Sequence, residues 1–360
     1  MSKVINVVIN GDLVHDVRRG VARCFREIIL QRPRGIRFVL YDAKNRWRDA
    51  LGKPDQVRVL SGGKTRLHRA LLQMPLCGRL FKRAGLIYHE AFFSRGLRSE
   101  IPEVVTVYDM VVEKYPEYCG EWGRRQAEDK AGCIARAHTC MCISQKTADD
   151  VAAFYPWAKH KLRVVHLAGE HIVRGMGRWN SAPLIEGGFV LVPGARDGYK
   201  NGGAAIQAVQ HRDWPTNVKL VLAGPAVSEK EAQLIDTVCG TSRVVVRANP
   251  TDEEMGRLIR DACCVLLPSL YEGFGLSVLE SQHLSTPVVC SDNEICQEVA
   301  GDGAEFCDVR SPEAIAGAVA RAISADRAGE LRQLGAENVT RFSWKRCAIE
   351  TAAVYRESLG

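Results

Sequence analysis

The stretch LLPSLYEGFGLSVLESQHLSTPVVCSD, Leu266–Asp292, decides how this chain folds. An apolar run ends at Pro268-Ser269, glycines follow at Gly273 and Gly275, a helical pattern begins, and a second apolar run, TPVVCS (Thr286–Ser291), closes the unit. Strand, tight turn, helix and strand is the repeat of a parallel sheet with helices on its faces. Glycines at such a turn let backbone amides come close to a ligand, and a helix N-terminus favours an anion there. Glu272 lies before the helix and Glu280 about one and a half turns inside it. The two carboxylates can therefore face one ligand at different depths rather than form an acid pair. Taken alone, the same residues also describe a capped helix with one exposed and one half-buried acid.

Working outward, the same alternation fills the chain. FVLVPG (Phe189–Gly194), VKLVLAG (Val218–Gly224), SRVVVR (Ser242–Arg247) and CCVLLPS (Cys263–Ser269) precede or open the window, with helical stretches between them. An earlier set comprises VINVVIN (Val4–Asn10), IRFVLY (Ile36–Tyr41), VRVL (Val57–Leu60), LIYH (Leu86–His89), EVVTVYD (Glu103–Asp109), TCMCIS (Thr139–Ser144) and LRVVHL (Leu162–Leu167). Helices are predicted there over Gly20–Leu30, Trp122–Ala137 and Gln145–Ala153. A polar, glycine-containing stretch, Gly169–Gly188, separates the two sets. The pattern predicts two doubly wound α/β domains, 1–168 and 188–342, a linker over 169–187, and a last helix over 343–360 that Ser343 can cap. Domains of this kind place a ligand in the cleft between them, at the carboxyl ends of their strands.

Composition narrows the class. A length of 360 residues suits roughly two domains at ~150 residues each. With 46% hydrophobic and 25% charged residues, the chain is neither disordered, collagenous nor a coiled coil. No run of ~18 apolar residues exists to span a membrane, and VINVVI is too short for a signal peptide and lacks a cleavage site. The 13 cysteines are odd in number and form no CxxC pair, so they read as reduced, buried thiols of a cytoplasmic protein. The net charge of +7 hides an asymmetry: residues 1–168 carry 30 basic against 17 acidic side chains, a net of +13, and the remainder is acidic. The densest stretch, KTRLHRALLQMPLCGRLFKR (Lys64–Arg83), holds six Lys/Arg, one His and no acid, with leucines between them. It suits an amphipathic segment on an anionic membrane surface. It equally suits an ordinary surface helix with its apolar stripe on the core. Pro75 breaks any continuous helix there. No recognised nucleic-acid module accompanies the charge, so nucleic acid is not an expected partner.

The window is also specific. EGFGLSVLE after LLPSLY, then HLSTPVVCSD and EVAGDGAEFCD, closely resembles the retaining, nucleotide-sugar-dependent glycosyltransferases of family four, among them enzymes of bacterial surface polysaccharide. RSPEAIAGAVARAI, RFSWKRCA, CISQKTADDVAAFYP and KLRVVHLAGE extend the resemblance, in order, over most of residues 100–350. It implies the GT-B fold: two Rossmann-like domains facing across a cleft, the N-terminal one for the acceptor and the C-terminal one for the donor, with the last helix returning to the first domain. It implies that Glu272 lies by the donor sugar, that Glu280 holds the ribose hydroxyls, and that amides near Phe274, Gly275 and Leu276 contact sugar and diphosphate. A carboxylate suits vicinal hydroxyls, each charge-assisted hydrogen bond contributing ~1.5–3 kcal/mol.

VPGARDGYKNGGAAIQAV (Val192–Val209) resembles the family's diphosphate turn, which implicates Arg196 and Lys200. Charge builds on the leaving nucleoside diphosphate, and a preorganised cation stabilises it; alone, the pair reads as two solvated loop cations. The base falls near Gly224 and Arg247–Asn249, where backbone contacts leave guanine and uracil equally open. HDVRRGVARCFREI resembles the family's first loop and implicates Gly20, with Arg19 and Arg23 as anion contacts. VVTVYD carries Tyr108 where many members carry a sugar-touching His. Tyr108 and Asp109 are thus expected on the acceptor side, although Tyr108 also reads as a plain strand aromatic. Glu272, Asp109, Arg196 and Lys200 form the expected catalytic set. DxD is absent and the nine histidines lack ligand spacing, so neither metal nor cofactor is expected besides the donor itself.

The activity implied is transfer of a hexose, from GDP-mannose or a UDP- or dTDP-sugar, to a hydroxyl of a lipid-linked glycan at the inner face of the cell membrane. The alternatives are a non-catalytic sugar-binding scaffold of the same fold and a sugar-nucleotide epimerase.

Overall fold

The computed structural model describes residues 4–10, 20–42, 47, 51, 57–61, 63–93, 100–174, 176–179, 182–238 and 243–360. The chain forms two compact units: unit 1 is Met1–Leu167 with Trp344–Gly360, and unit 2 is Ala168–Ser343.

Unit 1 is built on a parallel sheet of β1 (Ile5–Asn10), β2 (Ile36–Tyr41), β3 (Val57–Leu60), β4 (Leu86–Glu90), β5 (Glu103–Val107), β6 (Thr139–Cys142) and β7 (Leu162–Val164), in the order β3-β2-β1-β4-β5-β6-β7. Every residue of β4, β5 and β6 is buried. That is why these strands appear in the sequence as continuous apolar runs rather than alternating ones. The helices are α1 (Gly20–Leu30), α2 (Gly63–Gln73), α3 (Pro75–Arg83), α4 (Val111–Lys114), α5 (Gly120–Arg136) and α6 (Gln145–Phe154). Ser144 caps α6 by accepting from the Thr147 amide.

Unit 2 repeats the plan with β8 (Gly188–Pro193), β9 (Val218–Gly224), β10 (Val244–Ala248), β11 (Cys264–Leu267), β12 (Val288–Ser291) and β13 (Glu305–Cys307), in the order β10-β9-β8-β11-β12-β13, all parallel. Its helices are α7 (Gly202–Ala208), α8 (Glu229–Val238), α9 (Asp252–Asp261), α10 (Leu276–His283), α11 (Glu294–Ala300), α12 (Pro312–Ile323) and α13 (Ala325–Asn338). Val190, Ile206, Leu222, Leu266, Val289 and Val319 meet in its core. In each sheet the strand order reverses once, between β1 and β4 in unit 1 and between β8 and β11 in unit 2. Open parallel sheets bind ligands at such a reversal, beyond the carboxyl ends of the strands.

The last helix, α14 (Trp344–Leu359), belongs to unit 1, as expected. Trp344 and Tyr355 are fully buried, and the helix packs on α1 and on β4, β5 and β6. The strand β13 escaped the sequence reading because three residues, one of them charged, make no apolar run. In the stretch read as a linker, Glu170–Val173 form a turn of 3-10 helix, and Gly169 lies against Leu279 and Glu280 of α10.

Pro75 does interrupt the basic segment: α2 ends at Gln73, Met74 is extended, and α3 starts on Pro75. Leu72 is fully buried there, while Leu67, Met74 and Leu80 are exposed. The apolar residues are thus shared between core and surface. Eleven cysteines whose side chains the structure describes are free thiols, nine of them buried. No helix among the described residues is long and apolar enough to cross a membrane.

Candidate active site

The reversal in unit 2 brings together the two windows singled out in the sequence. Lys200 ends the short turn Gly198–Lys200 that follows β8, and Glu272 lies in the turn that follows β11. Lys200 Nζ donates to Glu272 Oε1 at 2.7 Å, with both side chains half-buried, and the ammonium lies 5.1 Å from the Tyr199 ring centre. The backbone holds this arrangement. The Leu270 amide donates to the Tyr199 carbonyl at 2.8 Å. Asn201, at φ +56, starts α7 while its side-chain amide donates to the carbonyls of Pro268 and Val309 at 3.1 and 2.7 Å.

Next to Glu272, Gly275 opens α10 at φ +88, a conformation that a side chain would strain. Its N-cap residue has no side chain to bond the first amides, and the N-terminal end of the helix dipole lies at this turn. Phe274 is buried edge-on to Phe342 at 5.9 Å, which fixes the turn, and Leu276 is half-buried. Glu280 is buried inside α10, with His171 Nε2 at 3.0 Å from its Oε1. His283, one turn on, is pushed below the ordinary imidazole range by burial and then by His171.

Arg196 departs from expectation. Its guanidinium is buried and three of its five N–H donors are engaged: Nε to Glu231 Oε1 at 2.7 Å, one Nη to the Pro225 carbonyl at 2.8 Å, the other to the Gly194 carbonyl at 3.3 Å. It clasps the ends of β8 and β9. Burial alone would raise the Glu231 carboxyl, but hydrogen bonds from Arg196 and Ser228 outweigh it and hold that carboxyl below the ordinary range. At the same edge a Cβ on Gly224 would lie 2.1 Å from the Gly194 carbonyl oxygen, so only glycine fits. The Asn249 amide donates to the Gly224 carbonyl at 2.6 Å, and Arg247 donates to the Leu184 carbonyl at 2.5 Å.

In unit 1, Gly20 is the exposed first residue of α1, at φ +35, and Arg23 is half-buried on the same helix. Arg19 lies outside the described residues. Asp109 follows β5 and accepts from the Val111 amide at 3.1 Å, while its side chain remains more than a third exposed. Beneath it, the buried Lys130 donates to the Asp109 carbonyl at 2.9 Å and to Glu113 Oε2 at 2.8 Å, with its ammonium also 3.8 Å from Asp109 Oδ1. Tyr108 departs from expectation as well. Its hydroxyl is buried among Cys24, Thr106, Tyr355 and Cys347. Both residues lie just past the end of β5, where the tyrosine is buried and the aspartate keeps contact with solvent.

Glu231, His171, Glu113 and Lys130 were missed because each acts through a partner far away in sequence. Only Asn201 left a local trace, the Asn-Gly-Gly that favours a left-handed turn. Among the described residues, His211, Asp213 and Glu313 also bring ligand-type atoms within 4.8 Å of one another, at the surface of unit 2.

Comparison with known proteins fits this geometry. Residues 183–340 match the family described as glycosyl transferases group 1. The O-antigen chain mannosyltransferase B of Escherichia coli is 25% identical over 284 residues, covering 75% of this chain and 74% of that protein. Sucrose-phosphate synthase of Thermosynechococcus elongatus superimposes with a TM-score of 0.69 at 17% identity over 98% of both chains. Anabaena HepE, solved with UDP and glucose, gives 0.69 at 16% identity over 98% of this chain and 100% of that one. The two parallel sheets with their helices are those of the GT-B fold, and the chain is a glycosyltransferase. Its C-terminal unit belongs to the glycosyl transferases group 1.

Proposed function

We propose that this chain transfers a hexose, with retention at the anomeric carbon, from a nucleoside-diphosphate sugar to a hydroxyl of a lipid-linked glycan during assembly of bacterial surface polysaccharide. The observation that carries the reading is the Lys200–Glu272 pair beside the Gly275-opened helix, at the strand reversal of unit 2. The similarity to an O-antigen mannosyltransferase favours mannose as the sugar.

On this reading Lys200 and the N-terminus of α10 stabilise the charge that grows on the departing diphosphate. They supply what a metal ion would otherwise provide, so the reaction proceeds without metal or cofactor. Glu272 positions the donor sugar and holds the ammonium in place. Glu280, oriented by His171, accepts the ribose hydroxyls. Gly20 and Asp109 serve the sugar and acceptor hydroxyls, with Lys130 and Glu113 keeping Asp109 in position. No side chain acts as a nucleophile; attacking and leaving groups share one face of the sugar. Arg196 is a structural clasp rather than a diphosphate ligand. The exposed Leu67, Met74 and Leu80, set among Lys64, Arg66, Arg79, Lys82 and Arg83, rest on an anionic membrane surface.

Thermal unfolding against UDP, GDP, ADP and dTDP, with NAD as control, tests the donor site. At ~100 times its dissociation constant a ligand adds ~2.7 kcal/mol, so one nucleoside diphosphate is expected to raise the midpoint selectively. Equal midpoints for all of them would remove the donor assignment. Anomeric analysis of the product then tests retention.

A further inference from the structure

We propose that unit 1 carries a binding site for a phosphate group at the amino-terminal edge of its sheet, the edge opposite to that holding Asp109. A cavity of about 330 Å³ opens there, lined by Lys82 from the end of α3, His138 before β6, His160, Lys161 and Arg163 around the start of β7, and Glu357 near the end of α14. Basic side chains thus converge from separate elements, and Glu357 is the one acidic side chain among them.

That single acid is already engaged, because Arg163 grips Glu357 through two nitrogens. Lys161 is pinned as a fixed charge: it donates to the carbonyls of Ala135 and Ala137 at 3.1 and 2.8 Å, with its ammonium over the Trp157 ring at 5.4 Å. Lys82 is exposed and forms no ion pair among the described residues. The Glu103 amide donates to His138 Nδ1 at 3.2 Å, so the neutral ring carries its proton on Nε2, as a donor. On the wall, the Thr139 and Ser358 hydroxyls lie 2.8 Å apart, and Ser358 donates to the Val354 carbonyl at 2.8 Å, so Thr139 donates to Ser358.

Converging cations, with the His138 Nε2 donor beside them, match the several oxygens and the double charge of a phosphomonoester. The cavity exceeds the size of a bare phosphate and leaves room for an ester substituent. Its charge is felt locally: burial, then Lys82, then Lys161 push His138 below the ordinary imidazole range. The other charged groups around it are Glu103 with Arg136 behind, and His160, Arg163 and Glu357 around the rim. An anion seated among these cations reverses that push.

Two sources can present this group: free phosphate, and the headgroup of an anionic lipid, since α3 also carries the exposed Leu80. The site stands whether or not the donor assignment in unit 2 holds.

The test is histidine NMR of the full chain, titrated with inorganic phosphate at constant ionic strength set by chloride. We expect a saturable shift of the His138 signal and a rise in its apparent pKa. Lys82→Ser is expected to weaken the effect about tenfold and Lys82→Arg to retain it. Sedimentation with phosphatidylcholine vesicles, with and without phosphatidic acid, separates the sources. If lipid is the source, Lys82→Ser lowers the phosphatidic-acid-dependent fraction and added phosphate competes. If free phosphate is the source, added phosphate leaves vesicle binding unchanged while the solution shift remains. A response to phosphate no larger than that to chloride, or one that Lys82→Ser leaves intact, overturns the proposal.

Discussion

Lys200 and Glu272 lie 72 positions apart in the chain, yet one charge-assisted hydrogen bond joins them. Its worth lies in position more than in stability, since both groups stay partly in contact with water. Lys200→Ala and Glu272→Gln should each lower kcat by about 10²–10³ while the unfolding midpoint barely moves. A near-normal kcat in both variants would remove them from the chemistry. Arg196 should behave in the opposite way. Its pair with Glu231 is largely buried, and removing one partner of such a pair typically costs ~3–5 kcal/mol. Arg196→Met is therefore expected to lower the denaturation free energy of unit 2 by that order. Unchanged stability with lost diphosphate affinity would restore the ligand role that the sequence suggested. The contrast shows what a linear reading can reach. Glycines, a lysine and a glutamate at a turn carry their local geometry in the sequence, so the turn at Gly275 was legible there, while the pairing of Lys200 with Glu272 was not. Whether a cation faces a ligand or a carboxylate depends on residues elsewhere, and Glu231 lies 35 positions beyond Arg196.

Among the elements, α14 shows how a few polar contacts join a helix to a sheet. His89 on β4 is wholly buried, with Nδ1 at 2.7 Å from the Tyr355 hydroxyl and Nε2 at 2.8 Å from Thr106 on β5. Burial pushes this imidazole down to about 3. An unfolded chain takes up the proton near the usual 6.5, so between those values it binds protons that the folded chain refuses. The stability contributed by neutral His89 is complete above about pH 6.5 and lost as the pH falls toward 3, a change on the order of 5 kcal/mol. Denaturant titrations of unit 1 across that range should show the decline, and His89→Gln should flatten it. Glu103 at the start of β5 works in the other direction. Burial raises its carboxyl to about 7, with neighbouring Arg136 opposing, so its contribution is present at low pH and lost as the pH rises through 7. Glu103→Gln should remove that loss and stabilise the protein at pH 8; a less stable variant there would show that the ionised form is held favourably. The strands and most helices were legible because parallel strands buried on both faces stand out as apolar runs. The docking face of α14 was not, because the residues that receive it come from the opposite end of the chain.

At the scale of the molecule, charge is the property that composition fixes best. The excess of +13 within residues 1–168 predicts attraction to anionic surfaces that falls as salt screens it. Each basic residue near such a membrane contributes about 1 kcal/mol, so neutralising Arg79, Lys82 and Arg83 together should weaken binding to anionic vesicles about a hundredfold. If neither salt nor the triple substitution alters the bound fraction, the basic face has another purpose. The two-unit plan was also legible, since the alternation of strands and helices stops and restarts. The membership of α14 in unit 1 came from resemblance, not from any pattern in its own residues. That membership has a consequence during synthesis. The ribosome makes Met1–Leu167 first and Trp344–Gly360 only after the whole of unit 2. At ~5–20 residues per second the first unit waits roughly ten to thirty-five seconds for the helix that covers His89 and Phe25. Unit 2, continuous in the chain, can be finished first, so the nascent N-terminal sheet is the part of this protein that most needs a chaperone.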